Sequence, residues 1–313
     1  MTDIVGLRKW SFLLSALVIL AGLVAMAISF VRFGSPLRLS IDFTGGALME
    51  LAFEQPVQPA EVRQAFVARG YGDTLVQTTL DEQTVLIRSK ELKEGERAEI
   101  QDELAERLGP LTELRFDQVG PTVGREVTRS ATLAIAAAAI VIMAFIIFSW
   151  RKVPHALRYG VCATIATLHD VLVTLGVFAI LGLLLGWEAD SLFLTAMLTV
   201  TGFSVQDTIV VFDRIRENIP KRRGDPYTQI VNRSLLETVH RSLATQLNAI
   251  FILVAILFFG GATIRQFIAT LLVGLVTGTY SSVFIAAPLL VVWENGEIGR
   301  LFRRLLGRSP ASA

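Results

Sequence analysis

Six long apolar stretches alternate with polar ones along the chain, and one polar stretch is far longer than the rest. Residues 11–31, 131–149, 159–186, 192–212, 243–259 and 266–293 are dominated by Leu, Val, Ile, Ala and Phe and carry few charges. About 20 apolar residues in a helix cross the hydrocarbon core of a bilayer, so the pattern predicts six membrane-spanning helices. The first run follows Arg8 and Lys9, and Ala25-Met26-Ala27 resembles a signal-peptide cleavage site. At about 21 residues the run exceeds the 7–15 of a signal core, and an uncleaved anchor is expected.

Residues 34–129 follow a different rhythm. Residues 47–54 alternate as a strand does. Pro59 to Arg69 place Val62, Ala65 and Phe66 on one helical face, with Gly70 as the stop. Residues 74–80 and 84–89 predict two strands around the turn Asp81-Glu82-Gln83. Glu94 to Leu108 predict a helix with Ile100, Leu104 and Leu108 in line, closed by Gly109-Pro110, and residues 112–119 a last strand. The order βαββαβ is the split, ferredoxin-like arrangement. The expected fold is a polytopic α-helical membrane protein with six spans, carrying a small α+β domain between the first two. Its parts are 1–33 (N-terminus and first span), 34–129 (α+β domain), 130–293 (spans two to six) and 294–313 (a basic tail).

Between spans four and five, residues 213–240 are polar. Asp225 is placed to cap a helix with Pro226 at its first position, and Ile230, Val231, Leu235 and Val239 give it an apolar face. This segment is expected to lie at the membrane surface. The pairs Gly182/Gly186 and Gly274/Gly278 have the spacing that lets helices approach closely.

Composition agrees with this picture. Charged residues make up 18% of the 313 and hydrophobic ones 52%, against about 25% charged in an ordinary soluble protein. A net charge of +1 gives no reason to expect a nucleic-acid partner. Cys162 is the only cysteine, so no internal disulfide is possible, and its apolar setting predicts a packing role. The three histidines lie in separate segments and form no metal cluster, and no glycine-rich phosphate loop is present. Neither a cofactor nor an enzymatic activity is expected. Lys and Arg collect at Arg8 and Lys9, at Arg151, Lys152 and Arg158, at Arg214, Arg216, Lys221, Arg222, Arg223 and Arg233, and at Arg300, Arg303, Arg304 and Arg308. The opposite short loops offer only Arg265. Both termini are therefore expected in the cytoplasm and residues 34–129 on the outer face.

Candidate chemistry lies in the few ionisable groups within apolar runs. Asp207 sits in span four, ahead of Ile209, Val210, Val211 and Phe212. A carboxylate at membrane depth costs about 2.5–3.5 kcal/mol on insertion scales, which points to a partner or a function. It either carries a proton or ion, or braces helices through a hydrogen bond. Gln206, Thr208, Ser204 and Thr201 are its expected polar neighbours, with Thr245 and Gln246 possible additions from span five. Arg241 opens span five after Glu237 and His240. Beside a carboxylate it would hold the charged form, and alone it would be a snorkelling boundary residue. Asp170 has either a direct or a structural role. His169 is adjacent to it, so the two point about 100° apart on a helix and are not expected to face one site squarely. Asp213, Arg214 and Arg216 read as a solvated helix end or docking face.

The string Gly202-Phe203-Ser204-Val205-Gln206-Asp207-Thr208, continued by Val210-Val211-Phe212-Asp213-Arg214-Ile215-Arg216-Glu217-Asn218, resembles the fourth transmembrane segment of the SecF family. Ile41-Asp42-Phe43-Thr44-Gly45-Gly46 and His169-Asp170 agree with it; on residues alone the glycine pair reads as a turn into the first strand. The resemblance implies an auxiliary subunit of protein export, related to proton-driven RND transporters, in a bacterial inner membrane. It implies SecD, the SecYEG channel, an unfolded exported polypeptide and membrane lipid as partners, with protons as the coupling ion. It implies Asp207 and Arg241 as proton-relay residues, joined by an aspartate of SecD. The family motif usually has Asn where this chain has Gln206, and both are amides. Two other readings stay open: an RND-type exporter of small molecules or lipids, and a non-conducting structural subunit.

Overall fold

The computed structural model describes residues 3–78, 83–150, 156–222 and 224–297. They form two compact units: one runs to Arg38 and resumes at Ile135, and the other spans Leu39–Ala134. The turn residues Asp81 and Glu82, Arg151, Lys152, His155 and Arg223, and the tail from residue 298 onward lie outside the described residues.

In the helical unit, α1 (Arg8–Phe33) follows a short 3-10 turn. It ends where Gly34 takes a left-handed φ of 75°, the usual glycine stop. The short helix α2 (Ile41–Thr44) belongs to the other unit, and α5 (Pro121–Trp150) begins there. Then come α6 (Ala156–Leu185), α7 (Ser191–Lys221), α8 (Tyr227–Phe259), α9 (Ala262–Ser281) and, after a wider π-helical turn at Ser282–Ala286, α10 (Ala287–Glu294). Five segments are long and apolar enough to cross a membrane: Val5–Phe33, Leu157–Leu185, Ser191–Lys221, Tyr227–Phe259 and Ile264–Glu294. α5 adds a sixth helix, uncharged in sequence from Ser130 through Trp150. The chain is a multi-pass membrane protein.

The polar segment 213–240 departs from expectation. It forms no separate surface helix: α7 continues to Lys221, and α8 runs unbroken from Tyr227 into span five. The apolar face is used inside the bundle, where Ile230, Val231 and Leu235 are buried, the last two against Phe212, Ile215 and Leu290. Asp225 is not the cap either. Pro226 holds that position without a side-chain bond, and Asp225 pairs with Arg222 at 3.6 Å. The charged end of α7 is tied down: Arg214 meets Glu237 at 2.7 Å, and Asn218 donates to both Ser234 and Glu237 at 2.9 Å.

Glycine placement shows how closely the helices approach. A Cβ on Gly176 would stand 2.6 Å from the Cα of Gly22, and the converse holds, so α6 and α1 touch backbone to backbone. A Cβ on Gly274 would strike Val200 of α7, and one on Gly278 would reach Ser204 at 3.4 Å. Gly274/Gly278 is therefore a genuine contact pair. Gly182/Gly186 is not: Gly186, at φ 72°, makes the turn after α6, and the space above Gly182 holds the Trp187 carbonyl. In the last span Pro288 has no N–H for the Phe284 carbonyl, four residues back. Ser11 Oγ of α1 lies 3.1 Å from that carbonyl. At the start of α7, Asp190 accepts from the Phe193 N–H at 2.7 Å, an ordinary N-cap.

The second unit contains α2 (Ile41–Thr44), β1 (Gly46–Phe53), α3 (Pro59–Ala68), β2 (Leu75–Thr78), β3 (Thr84–Ser89), α4 (Glu96–Leu108) and β4 (Leu111–Val119). The strands form one antiparallel sheet in the order β2-β3-β1-β4. This is the ferredoxin-like arrangement expected from the pattern. Met49, Leu51, Val62, Phe66, Ile87, Ile100 and Leu104 form its core. Ser40 caps α2 through the Asp42 N–H, and Gly45 and Gly46, at φ 72° and 121°, turn the chain into β1. A Cβ on Gly46 would fall 2.5 Å from the Ser89 carbonyl oxygen, so the second glycine is demanded by space as well as by conformation.

Candidate functional site

Asp170 sits near the middle of α6, fully buried. Its Oδ2 accepts from Ser204 Oγ of α7 and Ser281 Oγ of α9, each at 2.6 Å. Its Oδ1 lies 2.9 Å from His169 Nδ1. Ser281 stands immediately before the π-helical turn, a kind of local irregularity often found at functional positions. His169 Nε2 lies 2.9 Å from Ser15 Oγ of α1, and its ring stacks on Tyr280 at 6.1 Å. The carboxylate is surrounded by two serine hydroxyls and one imidazole nitrogen drawn from three helices. The adjacent residues thus do face one site, contrary to the helical-wheel expectation. The imidazole is long enough to swing toward its neighbour's carboxylate while its far nitrogen reaches the next helix.

Asp207 lies one turn further along α7 than Ser204 and is 8% exposed. Its Oδ2 accepts from Gln246 Nε2 of α8 at 2.7 Å. The partner from span five is therefore a neutral amide. Arg241 is exposed and makes no ion pair with Asp207 among the described residues. Gln206 is also exposed and makes no hydrogen bond to Asp207 among the described residues. Thr208 is fully buried, with its hydroxyl unpaired among the described residues. Ser204 serves Asp170, not Asp207. Of the candidates, the structure gathers Asp170 and Ser204 into one cluster, leaves Asp207 beside it bonded to Gln246, and places Gln206 and Arg241 elsewhere, while Thr201 and Thr245 bond back to their own helices.

Sequence reasoning missed Ser15, Tyr280 and Ser281. Their signal was faint: lone hydroxyls on apolar runs usually bond back to their own helix, as Thr164, Thr167 and Thr174 do here.

The sequence profile described as protein export membrane protein SecD/SecF, C-terminal, matches residues 100–296, and that of the SecD/SecF GG motif matches residues 33–57. A protein translocase subunit SecF of Thermobaculum terrenum is 49% identical over 97% of this chain and 98% of its own length. The chain belongs to the SecF family. A second SecF relative, from Anaerolinea thermophila, is 47% identical over the whole of both chains. Among solved structures, SecDF of Thermus thermophilus, a translocon-associated membrane protein, matches with a TM-score of 0.78 at 30% identity. This SecF-family chain is covered to 94% and spans 39% of that SecDF chain. SecDF in its super-membrane-facing form matches with a TM-score of 0.65 at 29% identity. The SecF match includes Gly45 and Gly46 in the GG motif and Asp170, Asp207 and Gln246 in the C-terminal profile.

Proposed function

We propose that this chain is the SecF half of a proton-driven auxiliary device for protein export. It pairs with SecD beside the SecYEG channel and acts on an unfolded polypeptide leaving the cell. The membrane is the bacterial inner membrane, with both termini cytoplasmic and the α+β unit outside, the orientation that the Lys and Arg distribution favours. Protons are the coupling ion, and the reading calls for no covalent chemistry and no other cofactor.

The observation that carries the proposal is the setting of Asp207. It is a buried acid on a membrane helix, held by one neutral amide. A permanent cation partner would fix its charge. Gln246 instead can donate to the ionised form through Nε2 or accept from the protonated form through Oε1. Asp207 can therefore change protonation with a partner in both states. Two arrangements of the bundle that favour different protonation states turn a proton gradient into movement. Arg241, standing on the exposed side of α8, is available to the SecD half.

The test is Asp207→Asn in the assembled complex, which keeps the shape and removes the exchangeable charge. The expected result is normal assembly with export that no longer responds to the proton gradient. Export that responds as before would refute the proposal.

A further inference from the structure

We infer that the turn at Gly45-Gly46 is the seat on which α5 is mounted, so that α5 and the α+β unit move as one body and a tilt of α5 in the membrane is delivered outside; the inference deepens the proton-driven reading above and rests on it. A Cβ on Gly45 would stand 3.1 Å from the Cα of Pro121, the first residue of α5. A Cβ on Gly124, one turn into that helix, would stand 2.9 Å from the Gly45 amide nitrogen and 3.2 Å from the Phe43 carbonyl oxygen. The two segments meet backbone to backbone, with room for a side chain on neither. The Phe43 carbonyl ends the four-residue helix α2, which leaves such groups without an internal partner. The Thr128 hydroxyl, one turn beyond Gly124, reaches it at 3.2 Å.

The turn itself explains Gly45, whose φ of 72° and ψ of 169° are open to glycine alone. It does not explain Gly124. That residue lies inside a helix, where glycine weakens the structure relative to alanine. Space against Gly45 accounts for it, and so assigns the glycine pair a second task beyond the turn.

The rest of α5 is built as a rod. From Arg125 to Trp150 it contains neither glycine nor proline and runs as one helix, so it lacks the residues at which helices kink. Among the described residues of α5, Gly124 alone is buried, while Leu133, Ile140, Val141 and Phe145 are exposed. The firm attachment of this helix is therefore at its outer end. Its 30 residues span about 45 Å, and a tilt of about 10° about the inner end carries the outer end about 8 Å. The chain enters the unit differently from α1: that helix is broken at Gly34 before residues 35–38 lead onward. A stiff helix on one side and a broken one on the other direct the movement through α5.

The experiment uses the full chain with a cysteine-free SecD partner in vesicles. Cys162 is replaced by alanine, and spin labels are placed at Asp102 of α4 and Leu133 of α5, both exposed and both within the unit Leu39–Ala134. Pulsed electron resonance reads the distance between them with and without a proton gradient, and export of a passenger polypeptide is followed in the same vesicles. The expected result is one narrow distance that the gradient leaves unchanged. Gly124→Ala adds helix propensity but fills the seat, and it should broaden that distance and lose the gradient-dependent part of export. Gly72→Ala, a methyl added in open space of the same unit, should change neither. A parent distance that is broad or shifts with the gradient overturns the inference, and so does Gly124→Ala with parental distance or parental export. Should Gly124→Ala not assemble, the parent distance with and without the gradient decides alone. Asp207→Asn is measured beside it and should keep the narrow distance while losing the gradient response. Export that keeps its response in Asp207→Asn sinks the proton reading, whereas the mounting of α5 is still decided by a distance that needs no gradient.

Discussion

Adding one methyl group at Gly176 tests the claim that α1 and α6 are locked backbone to backbone. The new Cβ would lie 2.6 Å from the Gly22 Cα, where ordinary contact begins at 3.4 Å, so the helices must part by about 0.8 Å. Neither side of the contact has a rotamer to swing away. Overpacking of this kind costs about 1–3 kcal/mol, while alanine gains about 0.5–1 kcal/mol over glycine inside a helix. The net loss for Gly176→Ala is therefore about 0–2.5 kcal/mol. The control is Gly202→Ala on α7, where nothing stands within 4 Å of the added Cβ. It gains the same propensity without the clash, so the two variants should differ by about 1–3 kcal/mol. Denaturant titration of the purified chain in micelles, followed by tryptophan fluorescence, measures the difference. If Gly176→Ala proves as stable as Gly202→Ala, the close contact of the two helices is wrong.

Two further predictions concern charge. Arg38 and Glu188 form an ion pair at 2.9 Å, 6% and 13% exposed. Glu188→Ala should cost up to about 3 kcal/mol by stranding the arginine, and the double change Arg38→Leu with Glu188→Leu should recover much of it; the same titration reads both. In the α+β unit, the Tyr71 hydroxyl donates to Glu96 and holds that carboxyl below the usual range. A lowered folded-state pKa stabilises above the ordinary carboxylate pKa and is lost as pH falls through the lowered value. Tyr71→Phe should therefore flatten the acid-side loss of stability, read as hydrogen exchange in β1 and β3 against pH. An unchanged profile would show the bond to be without consequence.

The periodicities made most of the architecture legible. The ferredoxin-like order emerges because Val62, Ala65 and Phe66 repeat at helical spacing while residues 47–54 alternate. What failed was position relative to other elements. Ile230, Val231 and Leu235 announce an apolar face, but the pattern alone does not say whether lipid or protein covers it. Gln246 is among the expected neighbours of Asp207 and does bond it, whereas Ser204, on the same helix, turns to Asp170 instead, a choice made by helix packing. Gly22 and Gly176 are single glycines on different helices, and only the packed bundle reveals that they meet. The His169–Asp170 pair was misjudged because wheel geometry describes where Cβ atoms point, not how far an imidazole reaches.

The bond from Ser11 to the carbonyl left over by Pro288 has a consequence for any working stroke. In lipid, a carbonyl stripped of its donor has no water to turn to. The first helix therefore cannot slide along the sixth without stranding that oxygen. Any sliding of this pair has to find that carbonyl a new donor, and the Ser11 hydrogen is already within reach of the Arg8 carbonyl of its own helix at 3.1 Å.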